Sequence, residues 1–163
     1  MSFAVRWFRL CALSTGAVLA VGAGASPGSA QQVGSAAPVT TESFIGAWEL
    51  VDWRTTTASG EVRFPYGEDA QGQITYAANG RMGAYLMRPP EDPADAPPQY
   101  LSYWGGFSLD VGAGTVTHHV IGSDQSNWIG SDQVRGFDFE SEDRLVLSLG
   151  SNRLSWVRVR PTS

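Results

Sequence analysis

The stretch "GQITYAANGRMGAYLM", Gly72–Met87, holds two apolar runs of strand length on either side of Asn79-Gly80. Both central residues tolerate a positive φ, so the pair predicts a two-residue type I′ hairpin turn. In that register Tyr85 lies across from Ile74, and Ile74 shares a face with Tyr76 because successive side chains alternate along a strand. The second run is apolar at both parities, so pattern alone does not say which of its faces is buried.

The same grammar of short strands and turns continues in both directions. Upstream lie "AWELVDWRTTT" and the short "EVRFP", parted by Ser59-Gly60. Downstream, "RPPEDPADAPPQ" is a proline-rich acidic loop that supports neither helix nor strand. "YLSYWGGFSLD" is expected to begin as a short turn and end as a strand. "TVTHHVIG", "DQVRGFDFE", "RLVLSL" and "RLSWVRVR" follow, joined by Gly112-Ala113-Gly114, Ser141-Glu142-Asp143 and Gly150-Ser151-Asn152. No segment sustains a 3.6-residue period. Eight or nine strands joined mostly as hairpins predict an all-β, up-and-down antiparallel barrel, whose closure also removes exposed sheet edges.

The chain of 163 residues opens "MSFAVRWFRLCALSTGAVLAVGAGASPGSAQQ". Arg6 and Arg9, then an apolar or small-residue run from Leu10 to Ala25, then Gly28-Ser29-Ala30, follow the order of a cleavable secretory signal. Residues 1–30 are therefore expected to be removed, leaving Gln31 as the new N-terminus, residues 31–42 as a flexible lead-in and residues 43–160 as one domain. The run is too short and too rich in Gly and Ala for a bilayer span, which needs roughly 20 strongly apolar residues. A secreted or periplasmic location follows as an expectation. Cys11, the single cysteine, goes with the leader, so thiol chemistry and disulfides are excluded from the mature chain. Losing two arginines and no acid moves the formal charge from −5 to −7. An acidic chain without a lysine or a basic cluster is a poor partner for nucleic acid or anionic membrane.

Two resemblances follow from particular residues. Gly46-Ala47-Trp48 is a G-x-W at the mouth of the first strand, and Trp156-Val157-Arg158 closes the last. The pairing resembles the lipocalin and fatty-acid-binding-protein superfamily, which implies that Trp48 closes a barrel floor and that Arg158 packs across it. The succession "GAWELVDW", "FPYGEDAQGQITYAANGRMGAYLMRP", "YLSYWGGFSLD", "TVTHHV", "NWIGSDQVRGFDF" and "RLSWVRV" resembles a bacterial and fungal lipocalin-like domain family over about Ser43 to Arg158. That resemblance implies a small antiparallel barrel, in a family whose members are mostly without an assigned activity. Trp104 and the long proline-rich loop depart from the family pattern at the expected barrel mouth.

His118 and His119 are the only histidines. On a strand they face opposite ways. If Leu109 pairs with Val116 across the Gly112–Gly114 turn, then Phe107, Leu109, Val116, His118 and Val120 share a face with Gly105, which sends His118 inward and His119 outward. The mostly polar set Val134, Gly136, Asp138 and Glu140 on the following strand leaves Gln133, Arg135, Phe137 and Phe139 inward. His118, Arg135, Tyr76, Gln133 and Phe137, with Trp128 near the opening, are the expected ligand-contacting residues of a mainly apolar cavity. Gly46, Trp48 and Arg158 are the expected closure residues.

No cofactor or metal is expected: one histidine per face and no cysteine fall short of a zinc site, and Glu68-Asp69 lacks the acidic spacing of a calcium loop. Beyond the expected leader, no G-x-S-x-G elbow, phosphate loop or dinucleotide fingerprint occurs. The reading is a protein that binds a small apolar or amphipathic molecule. Two alternatives stay open. One is a cofactor-free isomerase or cyclase with His118 moving a proton and Arg135 stabilising an enolate or carboxylate. The other is a protein-interaction module that uses Pro89–Pro98 and Trp104.

Overall fold

The computed structural model describes residues 38–90 and 97–161, so the expected leader lies outside the described residues. The elements are α1 (Thr41–Phe44), β1 (Gly46–Thr56), β2 (Val62–Arg63), β3 (Gln71–Tyr76), β4 (Arg81–Arg88), β5 (Gln99–Asp110), β6 (Thr115–Ser123), a 3₁₀ turn (Ser126–Trp128), β7 (Asp132–Ser141), β8 (Arg144–Leu149) and β9 (Asn152–Arg158). Every neighbouring pair is antiparallel, in the order β2-β1-β3-β4-β5-β6-β7-β8-β9, and β1 also pairs with β9. The result is a closed eight-stranded up-and-down barrel with β2 as an extra short strand, paired only to the end of β1.

Three expectations are corrected. β5 is strand from Gln99, not a turn followed by a strand, because its first residues pair fully with β4. The end of the expected lead-in, Thr41-Glu42, opens the single helical turn α1. The third correction is the β3–β4 turn, which has three residues rather than two. Ala77 N–H donates to the Arg81 carbonyl, Gly80 N–H donates to the Ala77 carbonyl, and Gly80 takes φ +78°. The extra residue shifts the register by one, and with a side-chain period of two that exchanges the faces. Ile74 and Tyr76 therefore pair with Ala84 and Met82, whereas Tyr85 pairs with Gln73 on the outside and is exposed.

The barrel has a floor and a mouth. At the floor, Phe44 from α1 plugs the end of the barrel and meets Tyr76, Phe137 and Phe139 edge-on at ring-centroid distances of 5.3, 5.1 and 5.1 Å. Edge-to-face contacts of this kind add about 0.5–1.5 kcal/mol each beyond burial. Trp48 donates its indole N–H to the Phe44 carbonyl (2.9 Å). Arg158 lies over the Trp48 ring, with Cζ 4.1 Å from its centroid, and donates to the carbonyls of Ser43 (2.7 Å) and Ile45 (2.8 Å). These three bonds satisfy carbonyls that a helix end leaves without intrahelical partners. Gly46 is needed here twice over: its φ is +131°, and a Cβ would come within 3.0 Å of the Arg158 guanidinium.

Candidate functional site

Above the floor, the strand pairing brings His118 inside. Leu109 faces Val116 and Phe107 faces His118 across the β5–β6 hairpin, and His118 is fully buried. Tyr76 Oη lies 2.8 Å from its Nε2 and Tyr103 Oη lies 2.9 Å from its Nδ1. Burial first, then the Arg135 charge, then His119, hold the His118 pKa down to about 3, so the ring is neutral at physiological pH. A neutral imidazole has one donor and one acceptor nitrogen. Tyr76 is buried and His118 is the only hydroxyl partner it has among the described residues. Its O–H must therefore donate to Nε2, since the reverse would leave a buried hydroxyl proton without an acceptor. Nδ1–H then donates to Tyr103, and the Tyr103 proton is left to point elsewhere.

Tyr103 also lines a cavity. A space of about 210 Å³ lies towards the mouth, walled mainly by Ile74, Ala84, Leu86, Leu101, Leu147 and Leu154, with Tyr103, Trp128, Arg135, Asn152 and Trp156 also lining it. Burial raises the Tyr103 pKa to about 12, although the Arg135 charge and a hydrogen bond from Arg135 work against that rise. Burial also pushes Tyr76 well above the usual phenol range. Both phenols are thus protonated donors. Trp53 stacks on Tyr66 (4.6 Å) at the rim and donates to Asn152 Oδ1 (2.9 Å), which also accepts from Thr55 (2.8 Å).

Of the expected ligand residues, Trp128 and Arg135 line the cavity, with the Arg135 Cζ 5.8 Å from the Trp128 ring centroid. Gln133 stands beside them and accepts from Arg135 Nη2 (3.4 Å). His118 and Tyr76 sit beneath the cavity and reach it only through Tyr103. Phe137 packs into the floor against Phe44 rather than lining the space. Tyr103 and Trp156 are among the wall residues that were not expected as ligand contacts, as are Asn152 and the aliphatic side chains. Strand alternation back from Phe107 and Gly105 would have found Tyr103, had the start of β5 been read as strand.

The enzymatic alternative meets a physical obstacle. His118 has both ring nitrogens committed to tyrosines and a pKa near 3, so it is too weak a base for proton abstraction at neutral pH. On the outer face, His119 lies between Ser108 Oγ (2.9 Å from Nε2) and Asp132 Oδ1 (2.7 Å from Nδ1). This is the spacing of a serine triad. The trio lies on the exposed face of three paired interior strands, whose backbone N–H groups serve the sheet, so no donor pair faces a developing oxyanion. Trp104, the family departure, lies on the same face and covers Gly122, where a Cβ would overlap the indole. Among the described residues no three His, Cys, Asp or Glu side chains are grouped to hold a metal ion.

The sequence matches the profile of the lipocalin-like domain family over residues 45–157. The chain belongs to this family. Solved structures similar to this lipocalin-like barrel include a lipocalin-like protein from Bacteroides uniformis, with 13% identity, a TM-score of 0.47, and coverage of 72% of this chain and 99% of that one. An uncharacterized protein from Bacteroides eggerthii is similar at 11% identity and a TM-score of 0.46, covering 71% of this chain and 99% of that one. No curated protein matches. No helix among the described residues is long and apolar enough to cross a membrane.

Proposed function

We propose that this lipocalin-like protein binds a small, largely apolar molecule inside its barrel and works outside the cytoplasm after losing residues 1–30. The observation that carries the reading is the 210 Å³ cavity at the mouth end, with mostly aliphatic walls and a few polar groups gathered around Tyr103 and Arg135. Binding sites have this composition because apolar area supplies affinity and a few fixed polar groups supply orientation. The volume falls below the roughly 300–1,000 Å³ of drug-sized sites, so the occupant is compact. The export half of the proposal rests on the basic, apolar and small-residue order of the first thirty residues.

The test is native mass spectrometry of the protein recovered from its own host, followed by denaturing extraction. A chain beginning at Gln31 and carrying one releasable small molecule is the expected result. A bare chain whose melting temperature does not move with any compact apolar compound would overturn the binding reading. A full-length chain retained inside the cell would overturn the export reading.

A further inference from the structure

The polar groups around the cavity share one property: what they have left to offer is donors. The acceptor of Asn152, its side-chain oxygen, is already taken by Trp53 and Thr55. The Tyr103 hydroxyl accepts from His118, which leaves its own proton free to donate, and Tyr103 lines the space. Trp156 lines the same cavity, is 1% exposed, and its indole Nε1–H has no acceptor among the described residues. Arg135, half-buried, has no carboxylate within ion-pair distance among the described residues, in contrast to Arg54, Arg63, Arg153, Arg158 and Arg160. Its donors reach the Gln133 side chain and the Val134 carbonyl, each at 3.4 Å, and the Tyr103 hydroxyl, none of which carries a negative charge. A neutral apolar ligand would leave these donors unanswered in a low-dielectric space, at the full cost of an unmade hydrogen bond. A cation would be repelled.

We propose that the ligand is a small organic acid, with its carboxylate received by the Arg135 guanidinium and the Tyr103 hydroxyl and its compact hydrocarbon body against the aliphatic wall. The proposal rests on the small-molecule reading above and narrows it to a charge type. Trp156 supplies a further donor for an oxygen on the body of the acid. The Trp128 ring, over which Arg135 lies, holds the guanidinium at the cavity wall. The Tyr76–His118 chain beneath it acts as a positioning device, because it orients the Tyr103 proton without touching the ligand.

The experiment uses the mature protein, freed of any bound molecule, and two acids with their neutral counterparts: octanoate against octan-1-ol and methyl octanoate, and 3-phenylpropanoate against its alcohol and methyl ester. Affinities are read by calorimetry and by the fluorescence of the cavity tryptophans. Each acid is expected to bind at least about tenfold more tightly than its alcohol. Arg135→Gln should abolish that preference and leave the alcohol within about twofold. In the unaltered protein, octanoate labelled with ¹³C at the carboxyl should stay ionised at pH values where the free acid is protonated, a readout that needs no variant to fold. Equal binding of acid and alcohol, survival of the preference in Arg135→Gln, or a bound carboxyl titrating as it does in water would overturn the acid assignment and leave the small-molecule reading standing. Failure of all six compounds to bind would sink both.

Discussion

His118 shows how one residue couples stability to pH. Its folded pKa of about 3 lies below the ordinary histidine value of 6.5, so the unfolded chain takes up a proton first as pH falls. The stability that the neutral ring confers is complete above about pH 6.5 and is lost progressively down to about pH 3. The limiting slope is about 1.4 kcal/mol per pH unit. Carboxylates titrate in part of the same range, so the informative quantity is a difference. His118→Gln should be less stable than the wild type at pH 7, and urea titrations should show that gap shrinking by about 2–3 kcal/mol between pH 6.5 and 4.5. A gap that does not change with pH would mean that the ring is not held neutral. Tyr103→Phe separates packing from hydrogen bonding at the same site. It keeps the aromatic ring but removes the acceptor of Nδ1–H, and an unpaired buried donor costs about 1–3 kcal/mol, measurable in the same titration. The inward turn of His118 was legible in the sequence because a single pairing, Leu109 with Val116, fixes every side chain on that hairpin. Its two tyrosine partners were not both legible, since Tyr103 comes from the start of a strand whose glycines and serines imitate a turn.

At the scale of the elements, two glycines do different work, and the difference can be measured. Gly80 takes a left-handed φ in the β3–β4 loop with nothing within 4 Å of where a Cβ would stand, so Gly80→Ala meets only backbone strain, about 1–2 kcal/mol. Gly105 has an ordinary φ but lies beside an irregularity: Trp104 pairs with Gly122 and Gly105 with Val120, which leaves Ile121 as an extra residue in β6. The bulge leans the β6 backbone over Gly105, and a Cβ there would overlap the His119 carbonyl oxygen. Because backbone cannot yield as a side-chain tip can, Gly105→Ala should either prevent folding or cost well over 2 kcal/mol, whereas Gly80→Ala should remain folded with a modestly lower melting temperature. Comparable melting temperatures for the two variants would refute this account of the bulge. Strand positions could be read because alternation and turn residues are local properties. The hairpin register could not: Asn-Gly suits a two-residue loop and also the end of a three-residue one, and "RMGAYLM" is apolar on both faces, so no hydrophobic penalty marked the wrong choice.

For the whole molecule, closure at one end frees the other end for binding. Arg158 brings β9 onto α1 and β1 through Trp48 and the carbonyls of Ser43 and Ile45, and thereby fixes the Phe44 plug beneath the Tyr76–His118 layer. That layer separates floor from cavity, and none of the plug residues Phe44, Trp48 and Phe139 lines the cavity. Stability and binding should therefore be separable by position. Arg158→Ala loses a desolvated cation–π contact of about 2 kcal/mol and three charge-assisted hydrogen bonds, to the carbonyls of Ser43, Ile45 and Glu142, so a net destabilisation of about 3 kcal/mol is expected. For a domain of this size that lowers the melting temperature by roughly 10 °C. Arg158→Lys should recover little of it, because an ammonium cannot stack on the indole while also serving three carbonyls from a planar fork. At a temperature where the variant is still folded, its affinity for cavity ligands should match the wild type within about twofold, whereas Arg135→Gln should leave the melting temperature nearly unchanged and alter ligand preference. Thermal melts and calorimetric titrations on the two variants together decide the matter: if Arg158→Ala weakens ligand binding as strongly as it lowers the melting temperature, the floor and the cavity form one cooperative unit and the separation argued here is wrong.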